Sequence, residues 1–271
     1  MVTTNFISKS DIFFSCTEKQ YMNVENTVPE HALVHVFSGS MTITDADTTY
    51  TVNENETIIL NKHLIAKFTK HPALDEQFKS VTILFSQVFL QKYYASIKLN
   101  PINKNLWPVK FLQKHSLLHS LFDSILPYYE LHGEELPQNL TEIKLSEAIT
   151  ILRAIDTSID CVLANFAGPG KIDLTEFMIK NYSFNIPIDR FAYLTGRSLA
   201  SFKRDFQKSF NEPPQRWLLK KRLKQAHYLL TNKYQKPSDV YLEVGFENFS
   251  HFSTSFKQHF GYTPSSIAMS R

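Results

Sequence analysis

Residues 239–264 read DVYLEVGFENFSHFSTSFKQHFGYTP, and the same design stands about fifty positions earlier in residues 196–218, GRSLASFKRDFQKSFNEPPQRWL. Leu199, Phe202, Phe206 and Phe210 recur as Phe249, Phe252, Phe256 and Phe260, with spacings of three, four and four residues in both sets. That spacing predicts one apolar stripe on each of two α-helices. Asn211 and Pro214 recur as Gly261 and Pro264. Asn and Gly are the residues that most readily take the left-handed conformation at a helix end, and a following proline keeps the helix from resuming. A short apolar segment and a glycine precede each stripe: Phe191, Ala192 and Leu194 lead to Gly196, and Val240, Leu242 and Val244 lead to Gly245. The pattern is helix, tight turn, helix, written twice.

A helix-turn-helix buries one face of its second helix and presents the other to a DNA major groove. The free face of the first copy carries Ala200, Ser201, Lys203, Arg204 and Lys208, and that of the second carries Ser250, His251, Ser253, Thr254 and Lys257. For one copy alone, a solvated face of an ordinary helical domain is an equal reading; the duplication favours DNA. Between the copies, Trp217, Leu219, Leu223, Ala226 and Leu230 give an apolar period, while Lys220, Lys221, Arg222 and Lys224 add charge. This reads as a linker helix. At 1.5 Å per residue it spans roughly 25 to 30 Å, so with its turns it can set two recognition helices about one DNA turn, roughly 34 Å, apart.

These residues resemble the C-terminal DNA-binding domain of AraC/XylS-type transcription regulators. Gly245-Phe246, Ser250, Phe252, Phe256-Lys257, Phe260-Gly261 and Pro264 fall on the family's signature. Carried over by position, the resemblance implies that Ala200, Ser201, Lys203 and Arg204 face DNA in the first copy, and Phe249, Ser250, His251, Ser253 and Thr254 in the second; Lys220, Lys221, Arg222 and Lys257 are expected to be available for contacts to the DNA backbone. Two positions depart from the pattern. Many members have arginine where this chain has Thr254, and arginine reads guanine through paired hydrogen bonds. Thr254 is left to touch a thymine methyl or a phosphate, so the second element is expected to position more than to read. Tyr241 stands where the family usually has alanine and demands more room.

Charge divides along the chain. Residues 170–271 hold sixteen Lys+Arg against eight Asp+Glu, and residues 1–169 hold thirteen against eighteen, so a net +3 conceals halves of +8 and −5. Phosphate neutralisation supplies most non-specific DNA affinity, so the basic half is the DNA-binding one. The length of 271 residues allows two domains, and 22 Phe among an aromatic content of 13% can fill two cores. No apolar run reaches membrane-spanning length and no signal peptide is legible, which predicts a cytoplasmic protein. Cys16 and Cys161 stand alone, as reduced structural thiols.

Residues 31–85 alternate β-branched runs with polar turns: HALVHVF, SGS, MTITD, TYTV, TIIL, AKFT and SVTILF. They predict a small β-sandwich or barrel, with a hairpin at Gly39. Helical patterns follow at residues 85–96, 116–130 and 140–156. In the last, Leu145, Ala148, Ile149, Leu152 and Ile155 form the stripe, and Ile143 and Ile151 widen it. One reading has this helix only covering the barrel; the other adds a dimer surface. A barrel followed by helices is similar to the cupin-like regulatory domains of the same family, including those of type III secretion activators.

An enzyme is not expected. Catalytic cupins hold metal with clustered histidines and a carboxylate. His31 and His35 can share a strand face, but no glycine-led HxH motif or nearby glutamate completes a set. His115 and His119 have helical i, i+4 spacing and lack a third ligand. Neither a GxSxG motif nor a phosphate-binding loop occurs. Gly168-Pro169-Gly170 breaks any regular element and marks the boundary.

The expected architecture is a two-domain α+β chain. Residues 1–165 form a cupin-like β-barrel with following helices, for regulation and dimerisation. Residues 170–271 form an all-α domain with two helix-turn-helix motifs joined by a linker helix. The expected function is a sequence-specific transcription regulator, an activator in sense by the family resemblance. Its expected partners are double-stranded DNA, RNA polymerase, a second copy of the chain, and a small-molecule or protein effector, with no cofactor, metal or membrane. The alternative is an adaptor whose barrel binds another protein and whose basic domain has only non-specific DNA affinity.

Overall fold

The computed structural model describes residues 11–22, 27–98, 107–132 and 136–269. The chain divides into two compact units, with the division falling between Ala167 and Gly168. No helix among the described residues is long and apolar enough to cross a membrane.

In the first unit the strands are β1 (Ile12–Thr17), β2 (Tyr21–Met22), β3 (His31–Ser38), β4 (Ser40–Thr44), β5 (Thr49–Val52), β6 (Thr57–Leu60), β7 (Lys67–His71), β8 (Phe78–Phe85) and β9 (Val109–Phe111). They build two antiparallel sheets, ordered β1-β8-β3-β6-β9 and β2-β7-β4-β5. The two sheets pack as a sandwich, not as a closed barrel. Gly39 does not close a hairpin as the sequence suggested: β3 pairs with β6 and β8, β4 pairs with β5 and β7, and the chain changes sheets between them.

Strand β3 shows why this segment lacks clean polar alternation. Ala32, Val34 and Val36 point between the sheets, against Met41, Ile43, Val52 and Phe68. Leu33 points the other way, into a second core with Ile83, Phe85, Leu121, Phe122, Ala148, Ile149 and Leu152. A strand buried on both faces reads as a continuous apolar run. Helices α1 (Gln87–Tyr94), α2 (Ser116–Asp123), α3 (Leu126–His132), α4 (Gln138–Ile155) and α5 (Asp160–Leu163) complete the unit, and α1, α2, α4 and α5 supply side chains to this second core. The single helix expected over residues 116–130 is two, because Pro127 lacks a backbone donor and its ring would clash with the preceding turn. On α4, Ile151 is buried and Ile143 is 61% exposed, so only one of the two widening residues joins the core.

His31 and His35 do share the face of β3, but it is the helix-covered face. His35 stacks on Phe122 with ring centroids 4.8 Å apart, and its Nδ1 lies 2.8 Å from Thr57 Oγ1. His31 Nδ1 accepts a hydrogen bond from the Lys62 backbone at 3.1 Å. The Nε2 atoms of both are buried without a partner. Burial lowers both rings, His31 to about 3 and His35 to about 4. They are neutral members of a packed layer facing away from the sandwich interior. Among the described residues no group of three or more His, Cys, Asp or Glu is arranged to hold a metal ion.

Polar links close the unit. Asp160 accepts from Tyr94 Oη at 2.6 Å and from Arg153 Nε at 2.9 Å, joining α1, α4 and α5. Lys62 Nζ donates to the Asn165 carbonyl at 2.8 Å, fastening the last segment of the unit to the strand layer.

Candidate nucleic-acid interface

The second unit contains α6 (Leu174–Asn181), α7 (Ile188–Leu194), α8 (Leu199–Phe210), α9 (Pro214–Asn232), α10 (Pro237–Glu243), α11 (Phe249–Phe260) and α12 (Pro264–Met269). The pairs α7–α8 and α10–α11 are the two helix-turn-helix motifs, and α9 is the linker. Ser198 caps α8 by accepting from the Ser201 amide, and Asn248 caps α11 by accepting from those of Ser250 and His251. The C-caps Asn211 and Gly261 are both left-handed, at φ 57° and 87°. Side-chain caps satisfy orphaned first-turn amides and fix where each recognition helix begins.

The turns of the two motifs are tight because backbone crowds each glycine. At Gly245, φ is +93° and a Cβ would stand 2.5 Å from the Ser183 carbonyl oxygen. At Gly196, φ is +67° and a Cβ would meet the Gly170 carbonyl, also at 2.5 Å. Each motif's turn is thus covered by backbone, and only glycine allows the approach.

The stripes pack as their spacing requires, save at their first positions. Phe202, Phe206, Phe252 and Phe256 are fully buried. Phe210 lies against Trp217 at 4.6 Å between centroids, and Phe260 against His227 at 4.7 Å, so both ends of α9 receive an aromatic. Leu199 and Phe249 are exposed, which the stripe pattern did not predict for Leu199. In α9 the buried side chains are Pro214, Leu218, Leu223, Ala226, Leu229 and Leu230; Leu219, read as part of the stripe, is exposed.

The polar faces lie as follows. Ala200, Lys203 and Arg204 are exposed on α8 and Ser201 is half-buried; Phe249, Ser250, His251, Thr254 and Lys257 are exposed on α11 and Ser253 is half-buried. Arg204 is lightly tethered, with Nη2 3.4 Å from Ser201 Oγ and Nε 3.8 Å from Asp205. Asp205 is engaged chiefly by Arg197, at 3.2 Å. That hydrogen bond holds the Asp205 carboxyl below the ordinary carboxylate range. Arg197 also donates to the carbonyls of Ile172 and Thr195. Arg197 therefore occupies the acid, and Arg204 projects from the helix.

Arg222, read from sequence as a cation available to DNA, is committed inside the fold. Its Nε donates to the Tyr182 carbonyl at 2.7 Å, its Nη2 to that of Phe184 at 2.8 Å and its Nη1 to that of Gly245 at 2.9 Å. Burial lowers the guanidinium to about 10, which leaves it charged at neutral pH. Tyr182 and Phe184 precede the first motif and Gly245 is the turn of the second, so one side chain on the linker holds both halves. Arg222 stands four residues from Leu218 and four from Ala226. A cation on the buried period of a helix was the available sequence signal. Lys220 pairs with Glu212 at 2.7 Å, Lys221 lies over the Tyr182 ring at 5.6 Å, and Lys224 is exposed. A cleft of about 720 Å³ opens beside Arg222, lined by Ile186, Leu218, Phe246, Asn248 and His251 among others.

Comparison with known proteins follows this division. Residues 191–269 match a family described as a helix-turn-helix domain, and residues 31–158 match the ExsA N-terminal regulatory domain. The chain is 24% identical over 238 residues to the HTH-type transcriptional regulator ExsA of Pseudomonas aeruginosa, covering 87% of this chain and 85% of that one. It is 28% identical over 143 residues to the thermoregulatory protein LcrF of Yersinia pestis, covering 52% of this chain and 53% of LcrF. Among solved structures, an apo ToxT variant from Vibrio cholerae aligns over 96% of this chain and 98% of that one at 15% identity and a TM-score of 0.47. With two helix-turn-helix motifs on one linker and an ExsA-type regulatory domain earlier in the sequence, the chain belongs to the AraC/XylS family of DNA-binding transcription regulators.

Proposed function

We propose that this chain is a transcriptional activator that reads DNA with α8 and α11 in successive major-groove segments. The observation that carries the reading is the pair of recognition helices with matched caps, matched glycine turns and exposed polar faces, joined by the linker whose Arg222 ties the turn of the second motif to the segment before the first. Lys203 and Arg204 supply most of the direct base readout, because they are the exposed cations in the first half of α8, the part of a recognition helix that reaches base edges. Ala200, Ser201, Ser250, His251, Ser253 and Thr254 complete the contact surface, and Lys257 meets phosphate. Phe249 stands on the same surface of α11.

The work divides between residues 170–271, which bind DNA, and residues 1–165, which regulate and dimerise. The relatives' printed descriptions as transcriptional regulators and activators support the activator sense. In this reading the first domain receives a small-molecule or protein effector, the DNA-bound protein meets RNA polymerase, and the protein acts as a cytoplasmic homodimer without a cofactor.

The test is selection of sites from random duplex DNA by the purified full chain, followed by salt titration on the winner and on a scrambled duplex. An enriched site spanning about two helical turns, with affinity falling steeply in salt, is the expected result. Equal, salt-sensitive binding to all sequences would instead identify an adaptor with non-specific affinity.

A further inference from the structure

The apolar stripes of the two recognition helices do not end in the core. Leu199 and Phe249, each the first residue of its helix, are 40% and 39% exposed. Single exposed apolar residues are ordinary on protein surfaces. Here the exposure recurs at one position of two copies, immediately after each capping residue, on faces otherwise made of Ser, Lys, Arg, His and Thr with the small Ala200. The first residues of a recognition helix are those that reach base edges. The apolar group that DNA offers in the major groove is the C5-methyl of thymine.

Phe249 is held in place for such a contact. The Tyr241 ring meets it edge-on, 5.6 Å between centroids at 80°, and the Phe252 ring lies behind at 6.0 Å. Tyr241 and Ala192 are each the fifth residue of the first helix of their motif. The first copy has a methyl group where the second has a phenol ring. Tyr241 thus makes an edge-on contact with the exposed phenyl ring, whereas the shorter Leu199 has no ring to orient.

We infer that Leu199 and Phe249 read thymine methyl groups, one in each of two successive major-groove segments, and that Tyr241 is the positioning residue for Phe249. The inference rests on the DNA-binding reading above. It gives the second motif base discrimination of an apolar kind, in place of the arginine contact that Thr254 cannot make.

The experiment uses the full chain and its selected site, with each thymine replaced in turn by deoxyuridine, which removes the methyl and nothing else. Removing a contacted methyl is expected to weaken binding roughly fourfold. The expected pattern is two sensitive positions about one helical turn apart. Leu199→Ala should abolish sensitivity at one, and Phe249→Ala or Tyr241→Leu at the other only. A selected site insensitive to every replacement overturns the inference while leaving the regulator reading intact. Sensitivity that persists unchanged in both alanine variants overturns it equally. Failure to select any site overturns the regulator reading and this inference with it.

Discussion

Lowering the pH from 7.5 to 5.5 should destabilise the first unit by about 3 kcal/mol through two side chains, His31 and His35. Both rings are buried, 1% and 4% exposed, and neutral in the fold. His31 is lowered to about 3 by burial and then by the charges of Lys62 and His63. His35 is lowered to about 4 by burial and then by His119, against a weaker opposing pull from Asp123. In the unfolded chain each titrates near 6.5, so below that pH the unfolded state binds more protons and stability falls as pH falls. The loss develops from about pH 6.5 and is complete below the folded values. Over the stated interval each ring contributes about 1.4 kcal/mol, since proton binding favours the unfolded ring by about tenfold in total across the two pH units while the folded ring gains almost none. Asp156, lowered to about 2, titrates below this window, and Lys70, lowered by burial to about 8, overlaps only its upper edge and adds about 0.2 kcal/mol in the same direction. The assay is urea unfolding of the full chain carrying Trp217→Phe, which leaves Trp107 of the first unit as the only tryptophan. The urea midpoint should fall with pH, and His35→Gln should halve the slope. A midpoint constant between pH 7.5 and 5.5 at unchanged m-value would refute the argument.

Three further outcomes follow from the second unit. Arg204→Ala should weaken binding to the selected site by about 1 to 3 kcal/mol and relax preference at one base pair, measured by titrating single-base variants of the site; equal loss on scrambled DNA would contradict the readout role. Lys257→Ala should weaken binding to specific and scrambled duplexes alike and reduce the magnitude of the log–log salt slope by about one, measured by anisotropy across a salt series. Gly245→Ala should destabilise the second unit by at least about 1 to 3 kcal/mol, because its φ is +93° and the added Cβ would meet the Ser183 carbonyl; thermal unfolding reads the loss, and an unchanged midpoint would refute the close approach.

The second unit was largely legible in the sequence because its information is local and repeated. Helix period, caps and glycine turns are written within stretches of twenty residues, and the copies check one another. What escaped was long-range. That Arg222 donates to carbonyls 40, 38 and 23 positions away leaves only one trace, a cation on the buried side of a helix. Leu199 escaped because three, four, four spacing identifies a stripe without saying where the core stops. In the first unit the strand runs were visible, but their pairing is non-local, and the turn at Gly39 looks the same whether the chain returns to its own sheet or crosses to the other. The helix over residues 116–130 was joined by its apolar period when Pro127 should have divided it. The histidine pair was placed on one face correctly. Which layer that face meets depends on helices that arrive some eighty positions later.

The Arg222 clamp turns an internal duplication into a ruler. The two motifs resemble separable copies, yet this one guanidinium satisfies the turn carbonyl of the second and two carbonyls of the segment that leads into the first, so that segment and the second copy cannot separate without leaving polar groups unpaired. Adding one base pair between the two recognised segments shifts the second groove by about 3.4 Å along the axis and rotates it by about 34°. A flexible tether would absorb that displacement. On the proposed reading of two groove segments, a linker held at three carbonyls passes it on as mismatch, so the operator spacing for one chain is set by the protein as firmly as its sequence is.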